Sequence, residues 1–303
     1  MVTNNNIKTS IKPDTAVTAR ARLGGVWMLL HPGPSLITVA AFIICAVIAA
    51  RGTPAPLRLV LTALGMVCMQ FAISALNDYC DRAADSQSEH KRKPIPLGLV
   101  TPTFALGLAL ILAVAMVVLY APFGFGPSVT ALAFLLLGFA YDLGVKSTPF
   151  SGVMLGLAFP IIPLLAWELF AQVKPALGWT FALGMALGIA IHLADALPDR
   201  AADQAASVHG LTQLLGQHAL AACRIALGVA IALIVLLPLT NITPARPAII
   251  VSAACIATGL VIGAIIDYHQ GQRAESERLK RNFLFVIATA LVTTVGWLAG
   301  AVV

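Results

Sequence analysis

Long apolar runs separated by short polar stretches extend from about residue 27 to the last residue of the chain. A helix needs about 20 residues to cross the ~30 Å hydrocarbon core of a bilayer, and these runs approach that length. They are rich in Ala, Leu, Val and Ile and lack the period-two alternation of barrel strands. The pattern predicts nine transmembrane helices, at residues 27–50, 57–76, 104–125, 126–141, 150–167, 176–194, 219–239, 248–266 and 283–303.

The composition supports this interpretation. Hydrophobic residues make up 59% of the chain and charged residues only 11%, whereas a soluble domain has about 25% charged residues. The five cysteines are scattered and show no paired metal-ligand spacing, which argues against structural disulfides and zinc. We therefore expect an all-α polytopic membrane protein with nine transmembrane helices in one bundle. Such a protein is embedded in the lipid bilayer, which is thus one of its expected partners.

The distribution of basic residues predicts the orientation. Residues 1–25 are polar and lack the short apolar core and cleavage site of a signal peptide, so we interpret them as a cytoplasmic tail. Residues 26–303 then form the transmembrane domain. Fifteen Lys and Arg residues lie on the side of this tail and four on the other side, which places the N-terminus in the cytoplasm and the C-terminus outside. In a bacterium, this membrane would be the plasma (inner) membrane.

The net charge of +6 reflects this excess of basic residues on one side, and it would attract anionic lipid there. The sequence contains no nucleic-acid-binding motif, so we expect no nucleic acid partner.

Two small-residue pairs in the fifth and sixth predicted helices have the spacing of close helix contacts. They are Gly152 with Gly156, and Gly184 with Gly188.

Acidic residues concentrate in two short clusters, directly after the second and the sixth predicted helix. The pentapeptide Asp-Arg-Ala-Ala-Asp occurs in both clusters, 118 residues apart. This repetition suggests two duplicated halves, each of which delivers an acidic helix end to the same membrane face. The clusters hold six of the 13 acidic residues, namely Asp78, Asp81, Asp85, Asp195, Asp199 and Asp203.

The spacing of these acids predicts a cation site. Steps of three and four residues place each set on one helix face, with Pro198 expected to bend the second helix. Stacked carboxylates repel each other unless a cation lies between them. Oxygen ligands without cysteine or paired histidine favour Mg²⁺, which leaves coordination positions open for phosphate oxygens. Two such rows facing one pocket would form a magnesium–diphosphate clamp, whereas one cluster alone would also fit solvated loop residues.

Both clusters resemble the signatures of a known family. Asn77-Asp78-x-x-Asp81-x-x-x-Asp85 is similar to the N-D-x-x-D-x-x-x-D signature of the UbiA-type intramembrane prenyltransferase superfamily, and the second cluster is similar to its D-x-x-x-D-x-x-x-D signature. The resemblance covers nearly the whole chain. It implies magnesium ions held by both motifs, an isoprenyl diphosphate substrate and prenyl transfer to an acceptor, often aromatic. The implied metal ligands are Asn77, Asp78, Asp81, Asp85, Asp195, Asp199 and Asp203.

Basic residues next to the first motif are candidates for binding the diphosphate. The segment Lys91-Arg92-Lys93-Pro94 is similar to a basic, proline-containing stretch of the family, and its cations suit phosphate oxygens that the metal leaves free. The alternative is an ordinary positively charged cytoplasmic loop. The family also has a Y-x-x-x-K element after its fourth helix. This chain has Tyr141 and Lys146, one residue further apart, with Asp142 between them.

From these candidates we assign catalytic roles to Asp81, Asp199, Arg92 and Lys146. We expect the substrate to contact Asn77, Lys91, Arg92, Tyr141, Lys146 and His192. His192 would accept a proton or orient an acceptor, or would simply be a hydrogen-bonded histidine at a helix end.

Two further expectations concern neighbouring residues. His31 precedes Pro32 and Pro34 and predicts an irregular helix start. Arg82 and Arg200 would contact phosphate or pair with aspartates on their own helices.

Two other activities compete with prenyl transfer. The first is that of a terpene cyclase of the same superfamily, which ionises the diphosphate without an acceptor. The second is that of a secondary transporter that uses the aspartates as a cation or proton relay.

Overall fold

The structure, a computed structural model, describes residues 18–87, 93–200, 204, 210–239, 246–271 and 273–303. Its helices are α1 (Ala19–Leu29), α2 (Pro32–Ala50), α3 (Pro56–Gln87), α4 (Pro102–Tyr120), α5 (Phe125–Asp142), α6 (Ser151–Phe170), α7 (Trp179–Ala196), α8 (Leu211–Leu215), α9 (Ala219–Leu239), α10 (Pro247–Gln270) and α11 (Glu275–Trp297).

Nine helices in the described part of the chain, α2–α7 and α9–α11, are long and apolar enough to cross a membrane. They match the nine predicted spans in order and approximate position, so the prediction of an all-helical, polytopic membrane protein is confirmed. Residues 1–17, most of the predicted tail, lie outside the described residues. The division at residue 25 therefore stays a prediction.

The first predicted span is in fact two helices. His31 adopts a left-handed backbone conformation with φ 45°, between the end of α1 at Leu29 and the start of α2 at Pro32. Proline at the first position of a helix needs no backbone hydrogen bond there, so α2 starts afresh at this residue. The predicted irregular helix start at His31 is confirmed.

The second span extends further than predicted. The apolar run ends near residue 76, but α3 continues to Gln87 without a break. The first acidic motif therefore lies on the last turns of a 32-residue helix rather than in a loop after it. A helix needs hydrogen bonds and not apolar side chains to continue, so its end need not coincide with the end of the apolar run.

Helices α6 and α7 pack very closely. A Cβ atom built on Gly188 would lie 2.4 Å from the backbone nitrogen of Gly156, and one built on Gly184 would lie 2.6 Å from Cδ of Pro160. Any side chain at these two positions would force the helices apart, which confirms the predicted close contact. On one side of this pair α6 packs against α2 and α5, and on the other side α7 packs against α9 and α11.

Candidate active site

The three aspartates of the first motif lie on one face of α3. Their side chains are 1% exposed at Asp78, 27% at Asp81 and 13% at Asp85. The ammonium group of Lys93 contacts all three, at 3.2 Å from Oδ1 of Asp78, 3.9 Å from Oδ2 of Asp81 and 3.0 Å from Oδ2 of Asp85. The predicted acidic stripe is therefore formed, and a cation lies against it.

Lys93 lies in the loop after α3. Burial of its ammonium group lowers its pKa, but the carboxylates of Asp78 and Asp85 outweigh burial and hold the pKa above its ordinary value. The side chain therefore keeps its positive charge at physiological pH. Its two basic neighbours, Lys91 and Arg92, lie outside the described residues, so their predicted roles stay predictions.

A second lysine reaches the same acids from the turn after α5. Nζ of Lys146 donates a hydrogen bond to Oδ1 of Asp81 at 2.5 Å. The extra residue between Tyr141 and Lys146 is taken up by the short 3₁₀ turn Val145–Ser147, so the longer spacing does not move the lysine away from the motif. Asp81 therefore contacts two cations from two different loops.

Asn77 and Asp142 join α3 to α5 beside these ion pairs. The Nδ2 amide of Asn77 donates to Oδ1 of Asp142 at 2.8 Å, and the Asp142 side chain is buried. The amide nitrogen is thereby fixed, which leaves the amide oxygen of Asn77 as its available ligand atom. Asp142 is thus part of the site's hydrogen-bond network.

His31 contacts the most buried acid of the motif. Its Nε2 lies 3.0 Å from Oδ1 of Asp78, because the left-handed backbone at residue 31 turns the chain sharply between α1 and α2. The other oxygen of this carboxylate, Oδ2, is buried and has no hydrogen-bond partner among the described residues. An unpartnered buried carboxylate oxygen is costly, and a cation would satisfy it.

The second motif has a different local structure. Helix α7 ends at Ala196, so Asp195 lies in its last turn and Asp199 in the turn that follows, around Pro198. The helix is interrupted at residues 197–199, between the first two acids, where a bend at Pro198 was predicted, and Arg200 is helical again. That the three acids form one stripe stays a prediction. Both carboxylates are exposed. The third acid of this motif, Asp203, lies outside the described residues.

The two motifs lie at the same end of the bundle, because α3 and α7 are the second and sixth spans and run in the same direction. The turn that carries Lys146 approaches the loop after the second motif, where a Cβ built on Gly210 would lie 3.6 Å from the Lys146 carbonyl oxygen. Within the described ranges, however, no hydrogen bond or ion pair joins the acids of the two motifs directly.

The arginines of the shared pentapeptide bind backbone carbonyls. Arg82 donates to the Tyr79 carbonyl and lies over the Tyr79 ring, and Arg200 donates to the Gly216 carbonyl at 2.7 Å. Pairing of either arginine with an aspartate of its own helix is not seen in the described residues. Their predicted contact with phosphate stays a prediction.

His192 is buried and shares a hydrogen bond of 2.7 Å with the Ser151 hydroxyl. This contact fixes the start of α6 against α7. This arrangement agrees with the second interpretation of His192, a hydrogen-bonded histidine at a helix end. A role of this ring toward an acceptor stays a prediction.

A cavity of about 220 Å³ lies between α2, α3, α5 and α6. Its lining is mostly apolar, with Gln70 and Tyr141 as its main polar side chains. Gln70 precedes Asn77 by two turns of α3, so both lie on the same helix face. Nε2 of Gln70 is buried and has no hydrogen-bond partner in the described structure, so it is available to a bound molecule.

The donor set of the first motif fits magnesium. The available ligand atoms are carboxylate and amide oxygens, which Mg²⁺ prefers, and one of them is the unpartnered Oδ2 of Asp78. No three acidic, histidine or cysteine side chains in the described part of the chain are already gathered as a metal site. The ammonium groups of Lys93 and Lys146 instead offset two of the three negative charges of the motif.

Comparison with known proteins identifies the family. The model of the UbiA prenyltransferase family matches residues 35–289. The chain belongs to this family. The predicted resemblance is thereby confirmed, and this UbiA family member carries both acidic clusters within the matched range.

Curated relatives include the 4-hydroxybenzoate octaprenyltransferase of Vibrio parahaemolyticus, 33% identical over 50% of this chain and 55% of the relative. The enzyme of the same name from Vibrio cholerae is 31% identical over 56% of this chain and 60% of the relative. The chain spans little more than half the length of the curated relatives it matches.

Solved structures of UbiA proteins share the fold. A digeranylgeranylglyceryl phosphate synthase superimposes with a TM-score of 0.72 at 16% identity, over 92% of this chain and 98% of that protein. A UbiA homologue from Archaeoglobus fulgidus, bound to GPP and Mg²⁺, gives a TM-score of 0.68 at 13% identity, over 90% of this chain and 99% of the homologue.

Sequence reasoning missed three residues of the candidate site in this UbiA family member, whereas Lys93 was among the cations proposed for the diphosphate. Asp142 was noted only as a departure from the family pattern, although it follows Tyr141 directly. His31 gave a signal only through the prolines that follow it. Gln70 gave a weaker one, as a polar residue within an apolar helix.

Proposed function

We propose that this protein is a magnesium-dependent intramembrane prenyltransferase that moves an isoprenyl group from an isoprenyl diphosphate to an aromatic acceptor. The observation that carries the proposal is the meeting of three carboxylates and two lysines at the end of α3. The two ammonium groups leave one of the three carboxylate charges unbalanced, which a bound cation would offset, and they provide positive groups for an anionic substrate.

The diphosphate head would be held by both motifs. The metal ligands would be Asn77, Asp78, Asp81 and Asp85 of the first motif and Asp195, Asp199 and Asp203 of the second. Magnesium held there would neutralise the charge that develops on the leaving diphosphate. Lys93 would donate hydrogen bonds to phosphate oxygens instead of to Asp78 and Asp85, and Lys146 instead of to Asp81, with Lys91 and Arg92 as further candidates.

In the reaction, the bond between the allylic carbon and the diphosphate oxygen breaks, and diphosphate leaves with the electron pair. The acceptor ring forms a bond to the allylic carbon and then loses a proton. The apolar lining of the neighbouring cavity excludes water, which would otherwise capture the allylic cation. In this proposal Gln70 and Tyr141 supply polar contacts for the part of the substrates that enters the cavity.

An aromatic acceptor is supported by the curated relatives, which are 4-hydroxybenzoate octaprenyltransferases. The described lining of the cavity contains no charged side chain, so a carboxylate on the acceptor would have to point toward the lysines at the end of α3. This constraint favours an acceptor with its polar groups at one end and its ring in the cavity.

The proposal is tested by offering purified protein geranyl, farnesyl and geranylgeranyl diphosphate with magnesium, with and without aromatic acceptors, and identifying the products by mass spectrometry. We expect a prenylated aromatic product and diphosphate release that depends on the acceptor. A terpene formed without an acceptor would establish the cyclase instead. Transport of a solute by proteoliposomes without any diphosphate turnover would contradict both enzymes.

A further inference from the structure

A second polar cluster lies on three helices that do not carry the acidic motifs. Arg224 of α9 and Arg278 of α11 place their guanidinium carbons 5.4 and 4.8 Å from the ring centroid of Tyr268 on α10. Asn282 follows Arg278 by one turn of α11, so it lies on the same helix face, and it is 3% exposed. We call these four residues the Tyr268 cluster.

The Tyr268 cluster has more hydrogen-bond donors than acceptors. Nε and Nη2 of Arg224, Nε of Arg278 and Nδ2 of Asn282 are all buried without a hydrogen-bond partner in the described structure. Arg278 donates once, from Nη1 to the Tyr268 carbonyl at 2.9 Å. Buried donors are almost always partnered, and buried arginine charges are usually paired with an anion.

In the described structure, the acidic contact of the Tyr268 cluster is made by the tyrosine and not by the arginines, because the Tyr268 hydroxyl donates to Oε1 of Glu275 at 3.5 Å. No acidic side chain among the described residues forms an ion pair with Arg224 or Arg278. The same two helices nevertheless contain an ordinary pair, since Arg281 binds both carboxylate oxygens of Asp267 at 2.9 and 2.7 Å. Arg278 thus differs from Arg281, which lies three residues further along the same helix and has a carboxylate partner.

The position of the cluster points to the membrane surface. It lies where α10, the eighth span, ends and α11 begins, at the same bundle end as the acidic motifs. An open groove of about 610 Å³ runs beside it. Gly271 lines this groove, and a Cβ built on it would lie 3.4 Å from Cδ of Arg278. The cluster therefore borders a groove of mixed character, with apolar Ile266 and Phe285 and polar Asp267, Gln270 and Arg273 in its lining.

We propose that the Tyr268 cluster binds a phosphate group, supplied by an anionic phospholipid of the surrounding leaflet. Two guanidinium groups and an amide match the oxygens of a phosphate. Basic pockets between transmembrane helices at the cytoplasmic face suit anionic lipid head groups. Arg224 and Arg278 are only half-buried, so a rotation of their outer bonds turns the unpartnered donors toward the groove, where the acyl chains lie.

The proposal is tested by native mass spectrometry of the delipidated full-length protein titrated with phosphatidylglycerol. Diacylglycerol with the same acyl chains tests whether the phosphate is needed, and inorganic phosphate and pyrophosphate test the free anions. Variants Arg224→Gln and Arg278→Gln remove cluster donors. Lys280→Gln is the matched control, because it removes one positive charge from an exposed side chain of the same helix and leaves both the cluster and the Arg281–Asp267 pair intact.

We expect phosphatidylglycerol to bind the wild-type protein and Lys280→Gln equally, and Arg224→Gln and Arg278→Gln about tenfold or more weakly, the loss of one charge-assisted contact. Diacylglycerol should not compete. An equal loss in Lys280→Gln, or equally tight binding of diacylglycerol, would overturn the proposal. If free phosphate binds as tightly as the lipid, the claim that a phospholipid supplies the phosphate group is wrong. If a cluster variant does not fold, wild-type thermal stability must still rise with phosphatidylglycerol and not with diacylglycerol.

Discussion

Among the acids of the candidate site, Asp81 is the one that contacts both lysines in the described structure. Its two carboxylate oxygens face Lys146 and Lys93, which come from different loops, while Asp78 is deeper and Asp85 lies one turn further along α3. A metal-bound diphosphate at Asp81 would therefore either displace both lysines from this carboxylate or bind to the lysines as well. Its loss should remove charge from the centre of the site.

We expect Asp81→Ala to abolish product formation, because it removes a proposed metal ligand and leaves two lysines without their common partner. The amount of protein in the membrane fraction should not change. The rate of prenyl product formation by mass spectrometry is the measurement, and Glu277→Ala, which removes an exposed acid of α11, is the control. Near-normal turnover by Asp81→Ala would remove this residue from the mechanism.

Lys146→Ala should weaken binding of the isoprenyl diphosphate about tenfold to a hundredfold, the range expected for one charge-assisted hydrogen bond of about 1.5–3 kcal/mol. The dissociation constant of geranyl diphosphate with magnesium is the quantity to measure. Lys280→Ala removes an exposed lysine and should bind normally. If Lys146→Ala also binds normally, Lys146 serves only to balance the charge of Asp81.

At the scale of single residues, the sequence predicted which acids lie together better than it predicted the residues that contact them. Spacing along one helix is enough to group Asp78, Asp81 and Asp85, and they do meet around one ammonium group. Contacts such as His31 with Asp78, or Asn77 with Asp142, join residues 47 and 65 positions apart. Helix periodicity carries no information about such pairs, because they depend on how separate helices pack.

At the scale of helices, the closely packed pair α6 and α7 positions the second motif relative to the first. Helix α6 starts directly after the turn that carries Lys146, and α7 ends at the second motif. The distance between the two helices is set by glycines at their contact. A change in this distance should therefore move the two motifs relative to each other.

Gly188→Ala should destabilise the protein by about 1–3 kcal/mol, the usual cost of an overpacked contact, since the new Cβ would lie 2.4 Å from the Gly156 nitrogen. Gly228→Ala is the matched control in a helix interior, where no atom lies within 4 Å, and it should stabilise by up to about 1 kcal/mol through helix propensity. Thermal unfolding in detergent measures both. Equal stability of the two variants would contradict the close contact.

Run length alone located the nine spans, because apolar length is what a bilayer selects. It could not locate helix ends that depend on hydrogen bonding. Helix α3 continues through three aspartates to Gln87, whereas α7 stops at Ala196, two residues before Pro198. The first acidic pentapeptide thus lies within a long unbroken helix, whereas the second begins in a turn at Asp199.

For the whole molecule, the orientation in the membrane decides from which side the substrate arrives. The acidic motifs and the Tyr268 cluster lie at the same end of the bundle. The positive-inside count predicts that this end is cytoplasmic. The anionic lipid of that leaflet would then adjoin both.

A fusion experiment tests this orientation. Green fluorescent protein on the N-terminus should fluoresce, since it folds in the cytoplasm, and alkaline phosphatase on the C-terminus should be active, since it requires the oxidising exterior. The reverse fusions are the controls and should both be inactive. Active reverse fusions would place the acidic motifs on the outer face.

The most direct test of the account is magnesium-dependent binding of geranyl thiodiphosphate, a substrate analogue that is not readily ionised, to the wild-type protein and to Asp81→Asn and Asp199→Asn. Isothermal titration calorimetry measures the affinity with magnesium and with EDTA. We predict binding by the wild-type protein that EDTA abolishes, and a large loss in each variant, because both motifs hold the same metal-bound diphosphate. Unchanged affinity in Asp199→Asn, or binding that is indifferent to EDTA, would contradict this account.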